Sequence, residues 1–277
     1  MTRTTENLSG TDSSTHLGPR VAPWILLTLA TLGGCGGSIR DRVDLDVKYV
    51  NPERLDKGLV VILPGIEGQD AANRDIRLGL DEGGVPYGLA IYRWGFPIPG
   101  LGLLVNQTDT AADRKAGAEL AAAIVRYQTR RPGRPVFLIG HSAGGGVAVF
   151  TLEALAVEPN AQPIAGAILL SSSISADYPL DKALKMTQRG IANVSNPDDT
   201  ELLGTGTAIF GNVDGGHGDS AGRTGFHQEN PKLFQGVVST EKTGIQADPH
   251  FLVTDAELVS RGAPRWVLAE KWPPGKK

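Results

Sequence analysis

One stretch of the sequence decides the fold: Val136-Phe137-Leu138-Ile139-Gly140-His141-Ser142-Ala143-Gly144-Gly145-Gly146. The apolar run before Gly140 predicts a buried strand, and the residues after Gly146 predict a helix. A serine in a tight turn from strand to helix needs neighbours without side chains two residues away, and Gly140 and Gly144 meet that requirement. The turn therefore presents the hydroxyl of Ser142 clear of the sheet, with the first amides of the helix directed at the same place.

This Gly-x-Ser-x-Gly turn resembles the nucleophile elbow of the α/β-hydrolase superfamily, and Gly140–Gly145 is similar to the elbow of its esterases and lipases. The resemblance extends from about Leu59 to Val267 in element order and in three short motifs. It implies an α/β fold, mainly a parallel sheet with helices on both faces. It also implies a serine hydrolase that cleaves a carboxylic ester through an acyl-enzyme, with Ser142 as the nucleophile.

Composition excludes some classes of protein. The chain has 277 residues, a formal net charge of −3 and one cysteine. Its length and ordinary apolar fraction suit one globular α/β domain. The small negative charge gives no indication of nucleic-acid binding, and a single cysteine excludes a disulfide within the chain.

The N-terminal part has the pattern of an export signal. Val21–Leu32 is apolar, too short for an ordinary membrane span and suited to the hydrophobic core of a signal peptide. Leu32-Gly33-Gly34-Cys35 follows and resembles a bacterial lipobox, in which cleavage precedes a cysteine that carries lipid. The resemblance implies a lipid anchor at Cys35; a plain secretory signal with an incidental cysteine is the alternative.

The predicted organisation is therefore a cleaved signal peptide at residues 1–34, a tether at 35–42 and a hydrolase domain at 43–277. The expected location is the bacterial cell envelope, with the chain bound to a membrane through lipidated Cys35. Without lipidation, the protein would be secreted or periplasmic.

A second motif follows the apolar strand Leu59–Leu63, where the sequence continues Pro64-Gly65-Ile66-Glu67-Gly68. In α/β-hydrolases the loop at this point supplies one amide of the oxyanion hole, so the resemblance assigns that donor to Ile66 and the second donor to Ala143. The sequence departs from the family pattern because Pro-Gly stands where His-Gly is usual.

The resemblance also implies the chain order serine, acid, histidine. The acid is expected in the loop after the strand two beyond the elbow strand. That strand is predicted at Ile191–Ser195, and the turn after it contains Asp198 and Asp199. Asp199 is favoured because Asp199 to Leu202 resembles the usual acid loop, with Asp198 as the alternative. A helix cap or turn role fits at least one of the two.

The general base is expected between the last strand and the final helix, and His250-Phe251 stands there. His217 is the alternative base and His227 a more distant one. His217 lies in the glycine-rich run Asp214-Gly-Gly-His-Gly-Asp219, whose spacing matches no familiar metal site and which is predicted to be a flexible loop. His141, inside the elbow, is predicted to be structural.

No metal or organic cofactor is needed for the expected reaction. The apolar loop Phe96–Leu104 and the predicted anchor favour a hydrophobic ester, either a small molecule or a lipid. Two other classes of function remain open: a non-catalytic envelope lipoprotein that keeps the fold, and an acyltransferase that uses the same three residues with an acceptor other than water.

Overall fold

A computed structural model describes residues 42–44, 46–66, 71–95, 109–206 and 211–275. The predicted signal peptide, Cys35 and the loop Phe96–Leu104 lie outside these ranges. Within them, no helix is both long enough and apolar enough to cross a membrane.

The strands are β1 (Val43–Asp44), β2 (Leu59–Leu63), β3 (Gly88–Tyr92), β4 (Val136–His141), β5 (Gly166–Leu170), β6 (Ile191–Ser195) and β7 (Leu233–Val237). The α-helices are α1 (Pro52–Leu55), α2 (Ala71–Glu82), α3 (Thr110–Arg130), α4 (Ala143–Leu155), α5 (Asp181–Lys185), α6 (Ala221–Thr224), α7 (Thr240–Thr243) and α8 (Ala256–Leu268). A π-helix (Glu201–Gly206) and a 3-10 helix (Leu252–Thr254) complete the described elements.

The strands form one sheet in the order β1-β3-β2-β4-β5-β6-β7, and every pair is parallel except β1 with β3. This order, with helices on both faces, is that of the α/β-hydrolase fold, so the predicted fold class is confirmed. Because the central strands are parallel, the loops after β2, β4, β5 and β6 all leave from the same edge, where sheets of this kind bind ligands.

The central strands are apolar because both of their faces are covered. Every residue of β2 and β4 is buried. On one face, α3 and α4 pack over Leu63, Leu138 and their neighbours. On the other face, α2 and α8 enclose a second core that contains Phe137 and Ile139.

The patterns Thr110-Ala-Ala-Asp113 and Thr254-Asp-Ala-Glu257 predict capping boxes, and the run Gly236–Ile245 predicts the last strand. All three predictions were wrong. Thr110 and Thr254 do not cap α3 and α8, because the side chains of Asp109 and Asp255 accept the capping hydrogen bonds instead. An aspartate one residue away satisfies the same amides equally well. The last strand was expected from Gly236 towards Ile245, whereas β7 is Leu233–Val237 and a short helix, α7, follows it.

The N-terminus of α4 lies unusually close to the sheet. A Cβ atom at Gly140 would lie 2.4 Å from the carbonyl oxygen of Gly144, and one at Gly144 would lie 2.2 Å from that of Leu63. Real Cβ atoms do not approach backbone so closely. Gly140 and Gly144 therefore leave the space that the turn at Ser142 needs, as predicted. The following glycines serve the same purpose: a Cβ atom at Gly145 would meet Ser172 Oγ at 2.3 Å and one at Gly146 would meet Val213 at 2.1 Å.

We expect Gly144→Ala to lower the free energy of unfolding by about 2 kcal/mol, because the added methyl group would displace the carbonyl of Leu63. Gly262→Ala is the matched control, since Gly262 also lies within a helix but has no described atom within 4 Å of its added Cβ. It should leave stability unchanged or raise it by up to about 1 kcal/mol. Urea denaturation of the three proteins measures the difference, and equal effects of the two substitutions would contradict this account.

Candidate active site

The backbone of Ser142 is strained in the way a serine elbow requires. Its φ of 53° and ψ of −127° fall in a region that residues with a Cβ rarely occupy. Three hydrogen bonds hold it there. The Ser142 amide donates to Leu170 O at 3.0 Å, and its carbonyl accepts from the amides of Gly145 at 3.0 Å and Ser173 at 3.1 Å. The hydroxyl therefore projects from a fixed point at the end of β4.

The segment that follows β2 lies directly against this serine. A Cβ atom at Gly65 would lie 3.2 Å from Ser142 Cβ and 3.6 Å from its Oγ, so the absence of a side chain lets the backbone approach the hydroxyl. The indole of Trp94 donates a buried hydrogen bond to Pro64 O at 2.7 Å and fixes the segment in place. Ile66 is the next residue along.

The second amide expected near the serine is that of Ala143, the first residue of α4. The first amides of a helix have no partner within the helix and carry its partial positive charge. Because Gly144 packs on the carbonyls of Leu63 and Pro64, this helix end lies beside the segment that carries Ile66. The two predicted oxyanion donors thus belong to segments that both border Ser142.

The structure brings Asp199 and His250 together. His250 Nδ1 lies 2.5 Å from Asp199 Oδ2, and the two side chains are only 5% and 2% exposed. The other carboxylate oxygen of Asp199 accepts the amide of Leu203 at 3.1 Å. A carboxylate without a proton can only accept, so Nδ1 carries the hydrogen, and the Nε2 of a neutral His250 is left to accept a proton.

Two side chains hold the segment that carries His250, one at the end of β4 and one just after β6. The buried amide of Asn196, just after β6, donates to Pro249 O at 2.7 Å. His141 Nε2 lies 3.2 Å from His250 O and, because a carbonyl only accepts, Nε2 donates. Asn196 was not predicted as a site residue. The only signal in the sequence was its position at the start of the turn that contains Asp198 and Asp199.

The other candidates lie elsewhere. Asp198 is exposed, and its amide donates to the side chain of Asn196. His217 is exposed, and His227 pairs with Asp177 at 2.8 Å on the surface. Of the alternatives left open by the sequence, Asp199 and His250 are therefore the two that meet.

Ser142 and His250 both lie at the carboxyl edge of the sheet, but among the described residues no hydrogen bond joins their side chains. Such bonds are often long in free enzymes and tighten when substrate binds. The residue next to Ser142 nevertheless contacts His250, since the ring centroids of His141 and His250 are 4.8 Å apart.

Burial lowers the pKa of His141 to about 3, and the nearby charge of His250 acts in the same direction. The ring is therefore neutral at any pH near 7. Its Nδ1 has no hydrogen-bond partner among the described residues.

Two segments pack against the elbow. Ser171, Ser172 and Ser173, which follow β5, are buried. Val213, just before the glycine-rich run Asp214–Asp219, packs on Gly146, and its amide donates to Ser173 O at 3.0 Å. Across the described ranges, no group of three or more His, Cys, Asp or Glu side chains is placed to hold a metal ion.

No protein family model and no curated protein matches this sequence. Several solved structures are similar in fold. A lipase-esterase related protein from Clostridium acetobutylicum is 11% identical, with a TM-score of 0.45, and the alignment covers 76% of this chain and 96% of that one. The esterase domain of a Rhodothermus marinus protein is 16% identical, with a TM-score of 0.43 and coverage of 81% and 90%. Naproxen esterase from Bacillus subtilis is 11% identical, with a TM-score of 0.42 and coverage of 76% and 84%. Similarity at this level does not extend to activity.

The depressed pKa of His141 predicts a specific loss of stability in acid. An unfolded chain binds a proton at this residue below about pH 6.5, whereas the folded protein resists protonation until about pH 3. The free energy of unfolding should therefore fall, by up to about 1.4 kcal/mol per pH unit from this group, as the pH drops through that window. Above about pH 6.5 the effect is absent.

His141→Gln removes this titration while keeping a side-chain N–H group. Urea denaturation measures the free energy of unfolding of wild type and variant at about pH 7.5 and about pH 4.5. We expect this free energy to fall further in the wild type than in the variant, because only the wild type has His141 to protonate on unfolding. The same acid sensitivity in both proteins would show that His141 is not held neutral by burial.

Proposed function

We propose that this protein is a serine hydrolase that cleaves carboxylic esters through an acyl-enzyme. The observation that carries the proposal is the buried hydrogen bond between Asp199 and His250, at the sheet edge from which the strained Ser142 projects. A buried carboxylate that fixes the imidazole tautomer is what a histidine needs to act as a base towards a serine.

In the proposed mechanism, Ser142 Oγ attacks the ester carbonyl while His250 Nε2 takes the hydroxyl proton. The imidazolium that forms is stabilised by Asp199. His250 then gives the proton to the leaving alcohol, and the acyl group remains on Ser142. Water attacks the acyl-enzyme while His250 accepts a proton from it. His250 then returns that proton to Ser142 Oγ as the bond between Oγ and the acyl carbon breaks, and the acid product leaves.

The negative charge that develops on the carbonyl oxygen would be received by the amides of Ile66 and Ala143. Such a donor typically stabilises the transition state by about 3 kcal/mol. These residues supply a nucleophile, a base and an electrostatic site, so the proposed route requires neither a metal nor an organic cofactor.

Turnover of p-nitrophenyl esters from acetyl to palmitoyl tests this function. We expect Ser142→Ala and His250→Ala each to lose nearly all activity. Asp199→Asn should reduce kcat by about 10⁴-fold, because the amide can no longer hold the required tautomer. Asp198→Asn is the matched control on the adjacent residue and should stay within about 3-fold of wild type.

A wild type that never exceeds the Ser142→Ala background would contradict ester hydrolysis and favour the non-catalytic alternative. Equal losses of kcat in Asp198→Asn and Asp199→Asn would contradict the assignment of Asp199 as the acid. If added alcohols accelerate turnover and appear in the product, the acyltransferase reading replaces hydrolysis. The chain-length preference would define the substrate, for which we propose a hydrophobic small-molecule or lipid ester.

We also propose that the mature chain is anchored to a membrane of the bacterial envelope through lipid on Cys35. The single cysteine of the sequence directly follows Leu32-Gly33-Gly34, which supports this reading. Mass spectrometry of protein recovered from membranes should show an N-terminal, diacylglyceryl-modified Cys35. Cys35→Ser should remain unprocessed, and an unmodified Cys35 in a soluble mature protein would contradict the anchor.

A further inference from the structure

The residue next to the nucleophile also contacts the residue proposed as the base. Apolar residues of β4 point alternately to the two faces of the sheet, and Phe137 and Ile139 belong to the core beneath α2 and α8. His141 continues that row at the end of the strand. Val253, three residues after His250, lies in the same core. The imidazole of His141 is thus the point where the elbow strand meets the base segment.

The contact has both a polar and a packing component. His141 Nε2–H donates to the backbone carbonyl of His250 at 3.2 Å. The ring centroid of His141 lies 4.8 Å from that of His250 and 5.5 Å from that of Phe251. His141 is 1% exposed, so water does not compete for the bond.

The other nitrogen of the ring indicates why a histidine stands here. Nδ1 is buried without a hydrogen-bond partner among the described residues. An unpartnered buried acceptor is unfavourable, and an apolar side chain would avoid it. The bond from Nε2 is the feature that an apolar residue could not supply.

The neutral state of the His141 imidazole also suits a position next to His250. Burial holds the pKa of His141 far below its usual value, to about 3. A neutral ring beside His250 leaves the base free to become an imidazolium during turnover. A cation such as lysine at the same place would donate a hydrogen bond but would oppose that charge.

We propose that His141 is a positioning residue: its Nε2–H bond to His250 O sets the distance between the base and Ser142, because one strand end carries both Ser142 and the donor. This inference rests on the proposed function for its kinetic consequence but not for its structural one. Small displacements of a base are enough to slow proton transfer greatly.

Glutamine and methionine at position 141 form a matched pair for the test. Their side chains are similar in length and shape, and only glutamine retains an N–H donor. We expect His141→Met to lower kcat about 30-fold with KM within about 3-fold, and His141→Gln to keep at least about a third of wild-type kcat. Thermal unfolding shows whether both variants are folded. If His141→Met does not fold, His141→Leu takes its place.

Proton NMR gives a readout that does not depend on ester turnover. The proton between Asp199 and His250 should give a far-downfield resonance that disappears in Asp199→Asn. We expect this resonance to persist in His141→Gln and to shift or broaden in His141→Met. A displacement of His250 from the end of β4, which carries Ser142, would also change its hydrogen bond to Asp199. The signal therefore reports that displacement whichever substrate the protein uses.

Together, kcat and the NMR resonance distinguish failure of the positioning role from failure of the proposed function. A resonance that responds to methionine but not to glutamine, in a protein without ester turnover, would support the positioning role and contradict the proposed function. A folded, active His141→Met with wild-type kcat and an unchanged resonance would overturn the inference. Equal losses of kcat in the two variants would also overturn it, because the donor would then not be the feature that matters.

Discussion

The rest of the site depends on one constraint, the turn at which β4 becomes α4. Ser142 occupies a backbone conformation that a residue with a side chain rarely adopts, and the structure must supply the energy to hold it there. It does so through three backbone hydrogen bonds and through glycines that let α4 lie directly on the sheet. The same close approach brings the first amides of α4 and the Pro64–Ile66 segment to the serine.

Asp199 and His250, the proposed acid and base, come from the C-terminal half of the chain. Asp199 leaves the end of β6, a strand of the same parallel sheet, while His250 arrives on a segment that packs over one sheet face. Asn196 ties the two loops together through Pro249, and His141 ties the base segment to the elbow strand. Because these groups are buried, their hydrogen bonds are stronger than at the surface, and an ill-placed partner would be correspondingly unfavourable.

Much of this arrangement could be predicted from local sequence. The elbow and the strand before it depend on residues that are adjacent in the chain, so glycine spacing and an apolar run indicated both. The resemblance of that turn to the elbow of α/β-hydrolases implied the fold class. The same resemblance placed the acid in the loop after Ile191–Ser195, where Asp198 and Asp199 both stand.

The preference for Asp199 over Asp198 came only from the resemblance of Asp199–Leu202 to an acid loop. The pairing itself could not be derived from local sequence, because it depends on which side chain faces a residue 51 positions away. Contacts that join distant segments were also missed. The bonds from Trp94 to Pro64 and from Asn196 to Pro249 are examples. The contact of Val213 with Gly146 is another example, since glycine spacing alone does not indicate which distant segment packs on the elbow. The position of β7 was missed since its residues are half exposed at the sheet edge and lack a strong apolar pattern.

The most direct test of the account is a crystal structure of the protein after reaction with an alkyl fluorophosphonate, which mimics the tetrahedral intermediate of ester cleavage. The account predicts a single covalent bond to Ser142 Oγ. One phosphonyl oxygen should lie about 2.7–3.1 Å from the amides of both Ile66 and Ala143, and His250 Nε2 should lie within hydrogen-bonding distance of Ser142 Oγ. No adduct, an adduct on another residue, or a phosphonyl oxygen directed away from both amides would contradict it.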